Sequence, residues 1–244
     1  SHNTYTPAMP FSSLNPSTNQ LIRTYPSWDS SRLEQALGKT HRAQSAWAKT
    51  SFPQRAELLR NAAMQLHAQR DRYATLITLE MGKPLREARA EVEKCASVCD
   101  YYAQHGEGFM RAEPVVTEAG NSHVAYHPLG VVLAVMPWNF PFWQAFRAAV
   151  PALMAGNALL LKHAPNVPQC ALAIEAIFRD CGLPDGVFTN LMIEVEQVAE
   201  AIASPHVHAV TLTGSEAAGR KVAALAGQHL KKCVLELGGS DPFI

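Results

Sequence analysis

The segment GVVLAVMPWNFPFWQAFRAAVPALMAGNALLLKHA, residues 130–164, decides the fold. It opens with VVLAV, apolar at every position, and then meets a turn marked by two prolines, PWNFP. An amphipathic stretch follows, FWQAFRAAVPALMAG, and a second apolar run, ALLLKHA, closes the unit. Such short apolar runs suit strands rather than helices, and the stretch between them is long enough to cross back over a sheet. The pattern predicts two parallel strands joined by a helix, with both faces of the sheet covered.

The alternation continues towards the C-terminus. QCALAIEAIFRDCG leads to VFTNLMI, VEQVAEAIAS to HAVTLTGS, and EAAGRKVAALAGQHL to KCVLELGG. Five strands and four crossovers predict a doubly wound α/β domain, which binds ligands beyond the carboxyl ends of its strands. Upstream, the first part of the chain reads as helical. Residues 51–81 place Leu58, Leu59, Ala62, Leu66, Tyr73, Leu76 and Ile77 at helical spacing, with Ser51 as N-cap and Pro53 in the first turn. MGKP, residues 81–84, interrupts that pattern, and a second helix is predicted over residues 85–109. VVTEAGNSHVAYHP, residues 115–128, reads as two short strands around a Gly-Asn turn.

Composition narrows the function. In 244 residues, 48% hydrophobic and 17% charged describe a globular chain with a substantial core. Lys and Arg number 21, as do Asp and Glu, so no net field draws the chain to nucleic acid or an anionic membrane. The most apolar region, LGVVLAVMPWNFPFW, is broken by two prolines and an asparagine and is no membrane span. Cys95, Cys99, Cys170, Cys181 and Cys233 are odd in number and form no CxxC, as expected of reduced, buried thiols in a cytoplasmic protein. The opening SHN carries no leader signal and reads as a tag remnant.

Three strand ends carry candidate chemistry. PWNFP puts the Asn139 amide at the end of the first strand, either as a donor to a developing oxyanion or as a helix cap. Lys162 ends the second strand, where it reaches ribose hydroxyls or phosphate, or simply projects into water. Thr213, Gly214 and Ser215 end the fourth strand and lead into a helix, a turn that suits a pyrophosphate. No GxGxxG or GxxxxGK[ST] occurs. Glu236 lies in the apolar fifth strand, where burial would raise its pKa and suit it to general-base work; the alternative is a pair with Lys232. His206 and His208 share a face of a short strand but find no third ligand, so no metal site is expected.

Taken in order, PWNFP, PALMAGNALLLKHA, GLPDGVF, TLTGS and LELGGSDPF closely resemble the aldehyde dehydrogenase superfamily, from about residue 8 to the last residue. LNP.T, RAQSAWAKTSFPQRAELLRNAA and LEMGKP resemble it too. The resemblance implies an N-terminal helical part of the cofactor domain over residues 1–112. It implies an oligomerisation-type β-hairpin over 113–128 and a Rossmann-like dinucleotide-binding part over 129–244. Asn139 then corresponds to the oxyanion-hole amide and Glu236 to the base that activates water. Lys162 corresponds to the ribose-binding lysine and Ser215 to the serine near the pyrophosphate, with Pro137, Trp138 and Leu237 lining the cofactor cleft.

The implied reaction is thiolate attack on an aldehyde, hydride transfer to NAD or NADP, and hydrolysis of the thioester. None of the five cysteines matches the family's nucleophile, which is expected beyond residue 244 together with the catalytic domain; this part alone is expected to be inactive and to expose apolar surface. A full-length protein is expected to form a homodimer or tetramer. Two departures bear on the cofactor. Pro165 stands where the family's glutamate holds the adenosine ribose and repels a 2′-phosphate, and LMIEVEQV replaces a glycine-bearing loop. Arg147, in NFPFWQAFR, resembles the carboxylate-binding arginine of bacterial succinate-semialdehyde dehydrogenases, which points to succinate semialdehyde as substrate; its plainer reading is a surface helix arginine. A non-catalytic dinucleotide-binding or structural descendant of such enzymes is the alternative function.

Overall fold

The computed structural model describes residues 11–240; the opening SHN and the end of LELGGSDPF, residues 241–244, lie outside the described residues. The chain begins with an antiparallel ribbon, Phe11–Asn15 (β1) with Gln20–Tyr25 (β2). The reading of the first part as helical missed it for a physical reason. Ser13 is buried while Leu14 and most of β2 face solvent, so no apolar alternation marks the pair.

Helix α1, Ser30–Trp47, starts at Asp29, whose side chain accepts from the Arg32 N–H at 2.8 Å. The single helix expected over residues 51–81 is in fact two, Phe52–Ala68 (α2) and Arg70–Met81 (α3). Gln69 leaves helical geometry at φ −112°, ψ 21°, with no glycine or proline to forecast it. Packing makes the break: Leu66 before it and Tyr73 and Ile77 after it reach one core, and Gln65 Nε2 donates to the Tyr73 hydroxyl across it at 3.2 Å. Ser51 does cap α2, in a reciprocal capping box with Gln54. Helix α3 stops at Gly82, whose φ of +79° suits glycine, and α4 runs over Leu85–Phe109 as predicted.

The paired part of the hairpin is shorter than read and begins at Glu113, ahead of the VVTEAGNSHVAYHP stretch but within the 113–128 bounds. Glu113–Pro114 (β3) pairs with His123–Val124 (β4), and the Val115 N–H donates to the Ser122 carbonyl at 2.8 Å. Val115, Val116, Val124 and Tyr126 are exposed on it.

The sheet then forms as the alternation predicts. Val131–Val135 (β5), α5 Trp143–Met154, Ala158–Lys162 (β6), α6 Pro168–Asp180, and Phe188–Asn190 (β7) build one side. Helix α7, Gln197–Ala203, then carries the chain to Ala209–Gly214 (β8), α8 Glu216–Gln228, and Lys232–Leu237 (β9). All strands are parallel in the order β7-β6-β5-β8-β9, so the winding reverses between β5 and β8. Every residue of β6 is buried, whereas the edge strand β9 is largely exposed. One hydrophobic core extends from Leu33 in α1 to Ala226 in α8, so the N-terminal helices and the sheet are packed as a unit. No helix among the described residues is long and apolar enough to cross a membrane.

Candidate active site

The reversal between β5 and β8 opens a cleft of about 440 Å³ at the carboxyl ends of β5, β8 and β9. Pro137, Trp138, Asn139, Arg147, Thr213, Gly214, Ser215, Glu236 and Leu237 line it, so the structure brings these sequence candidates together. Lys162 is not among the lining residues. A second cleft, about 420 Å³, lies at the opposite edge between α1, α6 and β7, and holds none of the candidates.

Each side chain reaches the main cleft for a local reason. Beyond β5, the Met136 N–H still pairs with the Lys162 carbonyl at 3.1 Å, and the prolines then turn the chain away. Asn139 is exposed there and does not cap α5, whose N-cap residue, Phe142, has no side chain able to cap it. Ser215 does cap α8: its hydroxyl accepts from the Ala218 N–H at 3.2 Å, so the hydroxyl expected to face a ligand is turned partly to its own helix.

Arg147 is no idle surface residue. It reaches from α5 to β8 and donates from Nη2 to Thr213 Oγ1 at 3.1 Å, with Nη1 3.8 Å from Glu236 Oε1. Register places Thr213 beside Glu236, so the arginine bridges two adjacent strand ends. The Glu236 side chain is 56% exposed, so it is not buried as expected. Strand β9 is an edge, covered less than an interior strand, and the cation near Glu236 is Arg147 rather than Lys232.

Lys162 is neither solvated nor free. It is 4% exposed and donates to the His163 carbonyl at 3.0 Å. Burial holds its pKa below the usual lysine value, against the opposing pull of Glu194 and Glu196. Those two glutamates belong to the LMIEVEQV segment, which follows β7.

His206 and His208 do not share a strand as expected. They precede β8 in a turn, where His208 Nδ1 accepts from the Val131 N–H at 3.0 Å and His41 of α1 packs beside both rings. The main-chain bond fixes His208, and among the described residues no three His, Cys, Asp or Glu side chains are placed to hold a metal ion.

Sequence reasoning missed the groups behind the cleft. Glu91 of α4 and Lys83 form a buried ion pair, and Glu91 Oε1 accepts from the Phe142 and Trp143 N–H groups at 2.9 and 3.0 Å. Glu80 of α3 does the same for α6, accepting from Gln169 and Cys170 at 2.9 and 2.8 Å. Both helices that follow the first two sheet strands are thus capped from the α3–α4 unit. The signal was available: Glu91 falls in the buried stripe of Ala88, Val92 and Cys95, and Glu80 in that of Tyr73 and Ile77.

The winding and the site define a doubly wound α/β protein with a polar cleft at its switch point. A model of the aldehyde dehydrogenase family matches residues 5–244, and the chain belongs to that family. It is 47% identical over 241 residues to a protein of Escherichia coli (strain K12) described as succinate semialdehyde dehydrogenase, NAD(P)+, covering 99% of this chain and 52% of that protein. A protein of Synechocystis sp. described as a probable succinate-semialdehyde dehydrogenase, NADP(+), is 50% identical over 236 residues, 97% of this chain and 52% of its own length. The crystal structure of succinic semialdehyde dehydrogenase from Streptococcus pyogenes in complex with NADP+ superposes with a TM-score of 0.92 at 38% identity, covering 95% of this chain and 51% of that one. The chain spans about half the length of these relatives.

Proposed function

We propose that the chain is the cofactor-binding part of an NAD- or NADP-dependent aldehyde dehydrogenase that oxidises succinate semialdehyde, or a similar short aldehyde acid, to its carboxylate. The observation that carries this reading is the convergence of Asn139, Arg147 and Glu236 with the Thr213–Gly214–Ser215 turn in one cleft at the winding reversal. A dinucleotide fits that donor set: the β8 turn opens into the first turn of α8, and Pro137, Trp138 and Leu237 supply flat walls. When bound, it supplies the hydride acceptor. Lys162 joins that set only by giving up its bond to the His163 carbonyl. Pro165 offers no carboxylate to repel a 2′-phosphate, so NAD and NADP both fit.

In this reading, Asn139 donates to the aldehyde oxygen as charge develops on it. Arg147 holds the distal carboxylate in place of its long ion pair with Glu236, and the released Glu236 takes a proton from water to cleave the thioester. None of the five cysteines lines the cleft, so the attacking thiolate comes from the portion of the relatives' length that this chain does not span. Residues 113–128 then serve subunit association in a homo-oligomer, and the free thiols suit a cytoplasmic protein.

Three experiments test the reading. Calorimetric titration of the chain with NAD and NADP detects binding, and failure with both removes the cofactor assignment. In a protein extended to the relatives' length, Glu236→Gln lowers turnover by about 100-fold while dinucleotide affinity holds. In the same protein, Arg147→Ala raises KM for succinate semialdehyde but not for a neutral aldehyde. Equal effects on both aldehydes would remove the substrate assignment.

A further inference from the structure

We propose that the buried Lys83–Glu91 pair is a positioning device for the turn that presents Asn139, a role that rests on the reading of Asn139 as an oxyanion donor. The turn is gripped on consecutive residues. Lys83 Nζ lies 3.5 Å from the centroid of the Phe140 ring, the Pro141 carbonyl meets His163 Nε2 at 2.7 Å, and Glu91 Oε1 accepts from Phe142 and Trp143. Asn139 is the residue just before this gripped run and, with Pro137 and Trp138, lines the open cleft.

Closing the first turn of α5 does not by itself require an ion pair. A local Ser or Asp at the N-cap would close the first turn through its N3 amide without desolvating two charges, as Ser215 does for α8 and Asp29 for α1. Here the acceptor comes from α4, 51 residues away, and its side chain is 1% exposed, beside a lysine side chain that is 7% exposed. A cap fixed in the core sets where the helix starts relative to the sheet, not merely that it starts. Glu80 provides the internal comparison. It also accepts from two first-turn amides, of α6, one on each carboxylate oxygen, yet among the described residues it makes no ion pair, and α6 carries no candidate catalytic group. The cation is added where the turn bears Asn139, and it sits against that turn's own aromatic ring.

The test uses the 244-residue chain, isotope-labelled, with Glu91→Gln, Lys83→Met and the control Glu80→Gln. Four readouts are the side-chain amide resonances of Asn139, hydrogen exchange at Phe142 and Trp143, the urea midpoint, and dinucleotide affinity. Glu91→Gln and Lys83→Met are expected to speed exchange at Phe142 and Trp143 by about tenfold relative to the β6 amides, and to shift the Asn139 resonances. Glu80→Gln is expected to speed exchange at Gln169 and Cys170 and leave Asn139 in place. The proposal is overturned if exchange rises evenly across the sheet with Asn139 unmoved, or if Glu80→Gln moves Asn139 as far as Glu91→Gln does. Should Glu91→Gln not fold, Lys83→Met decides on the same resonances. Loss of dinucleotide binding in the parent chain would count against the proposed function alone, because the resonances still decide the positioning role.

Discussion

His163 has both ring nitrogens committed. Nε2 faces the Pro141 carbonyl at 2.7 Å, and Nδ1 accepts from the Ala164 N–H at 2.8 Å, which fixes the Nε2–H tautomer. Adding a proton would set two N–H groups against each other in a site that is only 4% exposed. Burial above all, with the Lys162 charge beside it, brings its pKa down from 6.5 to about 4. The unfolded chain therefore takes up the proton first. The stabilisation is fully present above the unfolded value and is lost as pH falls towards the folded one, approaching about 3 kcal/mol. Urea unfolding at neutral and mildly acid pH should show a steeper acid loss in the parent than in His163→Asn; equal slopes would refute the assignment. Gly130 is a second constrained residue. Its φ is +124°, and an added Cβ would fall 2.5 Å from His208 Nδ1. Gly130→Ala should cost on the order of 3 kcal/mol, read as a lowered urea midpoint. At this scale the sequence exposed residue types but not their surroundings. Asn139 and Arg147 were legible as candidates, while the burial of Lys162 and the exposure of Glu236 depend on which strand is interior and which is edge.

Helix starts show how elements are specified from two distances. Helix α2 is closed locally: Ser51 and Gln54 cap it within four residues, a pattern readable in the sequence. Ser51→Ala should cost about 1 kcal/mol by urea denaturation, without a change in the cleft. Helices α5 and α6 are closed from a distance, and no local signal announces it. Glu80→Ala leaves one buried and one half-buried N–H group without their acceptor and should cost on the order of 3 kcal/mol, visible in the same measurement. A cost like that of a surface substitution would mean water replaces the carboxylate. The five sheet strands and their crossovers were legible because each apolar run is short and bounded by helix-length stretches. The break at Gln69 was not, since no glycine or proline marks it and only packing of Leu66 and Tyr73 imposes it. The β1–β2 ribbon escaped because its buried residues include a serine.

Across the whole molecule, the thiols report how tightly the core is closed. Cys95, Cys99, Cys170 and Cys181 are buried, and burial pushes every one of them up, Cys181 to about 11. Cys233 on the edge strand is only half-buried. A chromogenic disulfide reagent should therefore titrate one thiol quickly in the native chain and the other four only on unfolding; two or more fast thiols would show that the core opens locally. The caps supplied by Glu80 and Glu91 carry a further consequence, for the order in which the chain folds. The bonds that start α5 and α6 close loops of 51 to 90 residues, so neither crossover helix has a settled first turn until α3 and α4 have docked. The β5–β6–β7 side of the sheet and the N-terminal helices then form in one cooperative step. The β8–β9 side, joined by the locally capped α8, can assemble on its own schedule, and a ribosome releasing this chain would hold the first side incomplete until β7 had emerged.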